Sequence, residues 1–297
     1  MVEERNKMKI AITGGKGGTG KSTIATALSY KLAKTKKVLL LDLDVDCPND
    51  DLILGIKTEK VKDVESMIPK FDYKKCVKCG LCSKVCREHA IVFVKGNFPF
   101  VIPEQCIGCK ACKIACPRNA IGERKQKIGE IFTSSEGKFT LISGKMRPGI
   151  EESSLVVNAV KKFSEQYEKN YDYVIIDTAA GTHCPVISAL LGCDIAIGIT
   201  EPTPLGEHDL GLILKLTKNL KIQTYVIINK SNMGNKKLIE NLIRKCRTEI
   251  IAEIPYSKEI EKNYSAGKPV EHESINQIAR KIEQLNLSVF RNKNFKV

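Results

Sequence analysis

Seven short apolar runs punctuate the chain, at residues 9–13, 37–44, 138–143, 173–177, 195–200, 225–229 and 250–256. Each is too brief for a helix and reads as a strand. The runs at 37–44 (KVLLLDLD) and 195–200 (IAIGIT) are apolar almost throughout, as strands covered on both faces are. Apolar positions at helical spacing fill 22–33, 153–169 and 206–219, while 235–247 and 274–286 read as surface helices. Strands alternating with helices predict a doubly wound, mostly parallel α/β sheet. Between about residues 69 and 129 this periodicity fades. The chain is therefore expected to divide into an N-terminal part of the α/β domain (1–68), an insert (69–129) and a C-terminal part (130–297).

The first strand and first helix are joined by GGKGGTGKST, residues 14–23. Gly15, Gly20, Lys21 and Ser22 fit the phosphate-loop pattern G-x-x-x-x-G-K-S/T, and strand–glycine loop–helix is the context that motif requires. Glycines at 15, 17, 18 and 20 let backbone N–H groups approach an anion, and the helix N-terminus adds positive potential. The whole segment from Gly15 through Thr19 to Thr23 is expected to cradle a nucleotide. Lys21 would reach its β/γ-phosphates, and the Ser22 hydroxyl would ligate Mg²⁺.

A second lysine inside the loop, Lys16, gives K-G-G-T-G-K-S. Here the chain resembles the deviant-Walker P-loop ATPases of the MinD/ParA type, which include the nitrogenase iron protein and the iron–sulfur carrier ATPases. The resemblance implies ATP hydrolysis by a homodimer that forms on ATP binding. Lys16 would reach the partner's nucleotide and neutralise transition-state charge. It also implies that Asp44, at the end of the second strand, positions or activates the attacking water, with Asp42 structural or near the Mg²⁺ shell. An acidic loop exposed to water is the plainer reading of both. Asp177, closing YVIID, would bind Mg²⁺, and the following TAAGTHCP looks like a switch whose amides near Gly181 sense the γ-phosphate. Asn229 matches the family's adenine-reading position, although it also suits a helix cap. Pro255 falls in the adenine-flanking loop.

The segment that breaks the pattern holds eight of the twelve cysteines. Cys76, Cys79, Cys82 and Cys86 form one C-x2-C-x2-C-x3-C set, and Cys106, Cys109, Cys112 and Cys116 form another, followed by Pro117. This is the spacing of bacterial two-cluster ferredoxins, in which the last cysteine of each set ligates the other cluster. One [4Fe–4S] cluster is therefore expected on Cys76, Cys79, Cys82 and Cys116, and a second on Cys106, Cys109, Cys112 and Cys86. Arg87 stands where the second set has Pro117. Zinc is the alternative, but three thiolates in C-x2-C-x2-C crowd more tightly than usual zinc spacings. The insert is thus expected to be an α+β ferredoxin domain, and the whole chain resembles MinD-like ATPases with an inserted ferredoxin domain, a type found in anaerobes. Cys184 follows Asp177 at the spacing of a cluster ligand in the nitrogenase iron protein, but its companion cysteine has no match. Cys184, Cys47, Cys193 and Cys246 are accordingly expected to be small packed residues.

Composition narrows the partners. The chain has 297 residues and 42% hydrophobic content, enough for a proper core, and no apolar run approaches a membrane span. The polar start, MVEERNKMK, and cysteines in metal spacing point to a cytoplasmic protein. The net charge is +14, and residues 70–130 carry 13 Lys/Arg against 5 Asp/Glu. That excess predicts an acidic redox or metallocofactor-assembly partner, or else a solvated face that balances the clusters. Neither nucleic acid nor a membrane is favoured, since no DNA-binding motif is present and the basic tail, with two Phe, reads as a frayed terminus. The leading expectation is an ATPase that couples nucleotide state to electron transfer through two clusters. The alternatives are an iron–sulfur assembly or carrier ATPase, and a positioning ATPase with a redox-sensing insert.

Overall fold

Strand and helix alternate as the apolar pattern requires until residue 54, and then two long charged strands intervene. The computed structural model describes residues 7–294, with side chains as far as residue 286. The chain opens with β1 (Met8–Thr13), α1 (Lys21–Ala33), β2 (Val38–Leu43) and a short α2 (Asp50–Leu54). β3 (Glu59–Phe71) leads away to α3 (Leu81–Lys84), β4 (Ile91–Val92), β5 (Phe100–Val101) and α4 (Ala111–Ile114), and β6 (Ile121–Glu136) returns. There follow β7 (Phe139–Met146), α5 (Ser154–Glu168), β8 (Tyr173–Thr178), α6 (Cys184–Leu190), β9 (Ile195–Thr200) and α7 (Pro204–Asn219). The chain ends with β10 (Gln223–Asn229), α8 (Lys236–Cys246), β11 (Glu249–Ile254), α9 (Lys258–Ser265) and α10 (Glu273–Asn294).

Nine strands form one sheet in the order β11-β10-β9-β1-β8-β2-β7-β6-β3. All pairs from β11 to β7 are parallel, and the last two strands are antiparallel. The doubly wound, mostly parallel sheet is thus observed. Both faces are covered, which explains the unbroken apolar run of β2. Val38 and Leu40 pack with Ile24 and Leu28 of α1, whereas Leu39 and Leu41 pack with Val156 and Val160 of α5. Burying this much aliphatic surface is the main favourable term in the fold, at about 25 cal/mol per Å².

Two expectations change. The helix expected at the surface over 274–286 is α10, whose Ile278 and Ile282 are fully buried against α1 and β11. It extends to Asn294 and takes in much of the tail read as frayed. Strands β3 and β6 are the larger departure. They carry residues 69–71 and 121–129 back into the main sheet, so the segment outside it runs from 72 to 120. Their sequences are too charged to look like strands because most of β3 faces water. Cross-strand charge pairs replace the missing apolar alternation: Lys60–Glu130 at 2.8 Å, Lys127–Asp63 at 2.8 Å and Lys125–Glu65 at 2.8 Å. Such exposed pairs each add little, but they fix register along a two-stranded arm.

Candidate nucleotide-binding site and metal centres

The loop over 14–23 leaves β1 and enters α1 through Gly20, whose φ of 94° belongs to the left-handed region. Gly20 also has no room for a side chain, because a Cβ there would lie 2.4 Å from Asn229 Nδ2. Gly17 and Gly18, by contrast, face open space. Gly15 is a packing glycine closed off by Asp209, whose own Cβ would lie 2.3 Å from any Cβ added at position 15. Lys21 is buried, and its ammonium donates to the Lys16 carbonyl at 3.1 Å. Burial lowers its pKa, while the carboxylates of Asp177 and Asp44 pull it back up.

The sheet itself assembles the acids. Asp42 of β2 pairs in register with Asp177 of β8 and with Ser143 of β7. Asp42 accepts backbone N–H groups from Asp44 (3.2 Å), Asn49 (3.1 Å) and Asp50 (3.3 Å). Asp177 is fully buried, and neither carboxylate oxygen has a partner of proper hydrogen-bond geometry. Burial pushes its pKa to about 7, although the nearby Ser22 hydroxyl and Lys21 oppose the rise. A buried, unsatisfied carboxylate beside a phosphate loop fits a cation ligand. Asp44 is half-buried at the mouth of the site, raised in pKa by burial and held down by Lys21. Gly181 ties the following switch to the loop, its N–H donating to the Gly14 carbonyl at 3.0 Å.

A cavity of about 530 Å³ lies over this loop. Gly17, Gly18, Gly20, Lys21, Ser22 and Thr23 line one side. Asp44, Asn229 and Pro255 also line it, so the structure brings most of the expected nucleotide residues to one place. Asn229 is positioned by the loop, its amide donating to the Thr19 carbonyl at 2.8 Å. Lys16 stands outside the cavity lining, with its ammonium 3.5 Å from Glu201. Beside Pro255 and Tyr256 of the base-flanking loop, sequence reasoning missed the rest of the apolar wall, formed by Ile260, Tyr264 and Val270 from around α9. These residues have ordinary amphipathic spacing, so only their packing reveals the role.

The cysteine segment is two copies of one turn. Lys78 and Gly108, Gly80 and Lys110, and His89 and Asn119 occupy equivalent positions, all with positive φ. α3 and α4 are likewise equivalent, and each places one cysteine, Cys82 or Cys112, in a small core with Ile91 and Ile121. One cavity is lined by Cys76, Cys79, Cys82 and Cys116. The other is lined by Cys106, Cys109, Cys112 and Cys86. Each run therefore shares its cavity with the last cysteine of the other run. Burial raises the pKa of Cys82, Cys106 and Cys112, the last to about 11, so a positive metal is what would favour their thiolates. A tetrahedral zinc would draw sulfurs to about 3.8 Å from one another. Among the described residues no three of these sulfurs lie within 4.8 Å of one another. All-cysteine donor sets of this kind are what an iron–sulfur cluster takes.

Three of the remaining cysteines depart from expectation. Cys47, Cys184 and Cys246 are exposed rather than packed, because each lies in a loop or at a helix end. Cys193 alone is packed, and burial pushes its thiol to about 12.

Residues 10–270 match the CbiA family, the CobQ/CobB/MinD/ParA nucleotide binding domain. The chain belongs to this family. As a member of the CobQ/CobB/MinD/ParA group it is 34% identical over 262 residues to an uncharacterized protein of Methanocaldococcus jannaschii, covering 88% of this chain and 90% of the other. An iron–sulfur cluster carrier protein of Pyrococcus horikoshii is 22% identical over 284 residues, covering 90% of this chain and 80% of that one. The septum site-determining protein MinD from Pyrococcus horikoshii, solved with Mg-ADP, has the same fold. Its TM-score is 0.59 at 19% identity, covering 94% of this chain and 97% of that one. The MinD/ParA-type domain accounts for the ATP-binding loop and, as a family trait, for ATP hydrolysis. Among the described residues no helix is long and apolar enough to cross a membrane.

Proposed function

We propose that this protein is a dimer-forming, Mg²⁺-dependent ATPase whose nucleotide state is coupled to two resident [4Fe–4S] clusters. The interlocking of the cysteine runs carries the reading: each cavity takes three cysteines from one run and the fourth from the other. Cys76, Cys79, Cys82 and Cys116 would hold one cluster, and Cys106, Cys109, Cys112 and Cys86 the other. Bound clusters of this kind supply one-electron transfer. Complete, mutually locked ligand sets favour retention of the clusters, which supports an electron carrier. The cluster carrier from Pyrococcus horikoshii is the observation that favours a second reading, delivery of clusters to acceptors.

The chain's own residues divide the work at the nucleotide. Gly17, Gly18 and the amides before α1 receive the phosphates, Lys21 neutralises them, and Ser22 with Asp177 holds Mg²⁺. Asp44 lies where it can orient water, and Asn229 with Pro255 flanks the base. Lys16 is outside its own cavity and paired with Glu201, which supports a role on a partner's nucleotide. The cluster module is joined to this site through β3, β6 and β7, and β7 pairs with β2, which ends at the acids. A shift of the acidic loop would thus be felt at the base of the arm.

Several cations on the module have no carboxylate within salt-bridge distance among the described residues, including Lys74, Lys78, Lys84, Lys95 and Arg118. They supply a docking face for an acidic redox or assembly partner. The test uses anaerobically purified protein with both clusters loaded. Its reduction potentials and electron-transfer rates should differ between ADP and ATP; identical values would overturn the coupling. Rapid passage of iron to an apo-acceptor would favour the carrier reading, and ATP-dependent binding to liposomes or DNA a positioning role. Lys16→Ala should remove the dependence of ATP turnover on protein concentration while leaving the cluster spectrum intact.

A further inference from the structure

Asp50 has no assigned part in any of this, yet it is among the most unusual side chains in the molecule. It opens α2, where a carboxylate ordinarily takes a backbone N–H or faces water. Here it is fully buried, and neither carboxylate oxygen has a hydrogen-bond partner. Its own N–H donates to Asp42, so the start of α2 solvates its neighbour and not its own side chain. Burial raises its pKa well above the usual carboxylate range, and the neighbouring carboxylates of Asp42, Asp177, Asp51 and Asp44 push it further up.

The Asp50 carboxylate points at the pair that the sheet register makes from Asp42 and Asp177. One oxygen from each of the three lies within 4.8 Å of the other two, and all three residues are buried. Oxygens bound to one Mg²⁺ at about 2.1 Å lie about 3.0 or 4.2 Å apart; around Ca²⁺ the spacings grow to about 3.4 and 4.8 Å. Three buried carboxylates, two of them with no hydrogen bond, cannot all stay charged without a compensating cation. Lys21 is drawn to Asp177 and Asp44, and its ammonium also donates to the Lys16 carbonyl at 3.1 Å.

We propose that Asp42, Asp50 and Asp177 form a divalent-cation site of their own, filled by a hard oxygen-preferring ion such as Mg²⁺, Mn²⁺ or Ca²⁺ before nucleotide arrives. It differs from the nucleotide's Mg²⁺ in using Asp50, in not using Ser22 and in needing no phosphate. Asp177 is common to both, so an ion here would fix that carboxylate in its charged form for the incoming Mg²⁺. The site depends on neither clusters nor hydrolysis.

The test is Mn²⁺ titration of the nucleotide-free full-length protein as purified, followed by electron paramagnetic resonance of the free ion. One Mn²⁺ should bind per chain, displaced by Mg²⁺ or Ca²⁺. Asp50→Asn should weaken it by about tenfold or more, and Asp50→Leu should abolish it; Ser22→Ala should leave it in place. Thermal stability without nucleotide should rise with Mn²⁺ in the wild type and stay flat in Asp50→Leu. No Mn²⁺ bound by nucleotide-free wild type would overturn the proposal, and that measurement needs no variant to fold. Unchanged binding in Asp50→Asn would overturn it too, as would binding lost in Ser22→Ala and kept in Asp50→Leu. Failure of the cluster or ATPase reading would leave this titration untouched.

Discussion

A single carboxylate, Asp177, shows how burial and chemistry conflict at this site. Its pKa moves from 3.8 to about 7, mainly through burial. An acid whose folded pKa is raised stabilises the fold below the unfolded value, and this contribution is lost as pH rises through the folded one. Without metal or nucleotide, the wild type should therefore lose stability relative to Asp177→Asn as pH climbs from about 4 to about 7. The gap is at most roughly 4 kcal/mol, and urea melts at several pH values would measure it. With Mg²⁺ and nucleotide the order should reverse, since only the charged carboxylate is a useful ligand. A gap that grows toward low pH would refute the account.

Two antiparallel strands, β3 and β6, join the main sheet to the cysteine segment. Their opposed charges hold register where apolar side chains are scarce. The second cysteine run is packed directly on this arm: Gly108 has φ 71°, and a Cβ there would meet Ser66 Oγ at 2.8 Å and the Met67 carbonyl at 2.9 Å. Gly108→Ala would combine left-handed strain with a backbone clash, at a cost of about 1–3 kcal/mol. It should loosen the loop that carries Cys106 and Cys109. We expect iron content to fall by about half, with the first cysteine set still loaded and ATP binding retained. Equal loss from both sets would mean that the arm does not support them separately.

For the molecule as a whole, the expectation is a nucleotide-binding domain from which the cysteine segment can be removed. Beyond the Phe71–Ile121 pair, the Asp72 N–H donates to the Ala120 carbonyl at 2.8 Å, so the arm can be closed beyond that hydrogen-bonded pair by a two-residue turn such as Asn-Gly. Replacing residues 73–119 by that turn should give a folded protein that binds Mg²⁺ and ATP but holds no iron. Nucleotide binding by equilibrium dialysis and an iron assay decide this. If the shortened protein failed to fold, the module would be part of the core and not an appendage. The cores of the sheet lie on either side of β2 and β8, away from the cysteines, which is why independence is expected.

The phosphate loop, the buried strands and the two cysteine sets were legible in the sequence, because each depends on local spacing. Gly20, Lys21 and Ser22 act through a single turn, and Val38 to Leu43 needed only to be apolar on both sides. Strands β3 and β6 were not legible, since charged residues form strands there only by pairing with each other. Nor was the burial of α10, whose surface-like composition hides one continuous isoleucine face. Asp50 is the clearest case: in the sequence it is one more acid in a polar loop. Only the register of β2 with β8, and the turn into α2, set it against Asp42 and Asp177 and bury it from solvent. Local sequence dictates which groups are present, whereas burial and long-range pairing determine which of them must share a charge.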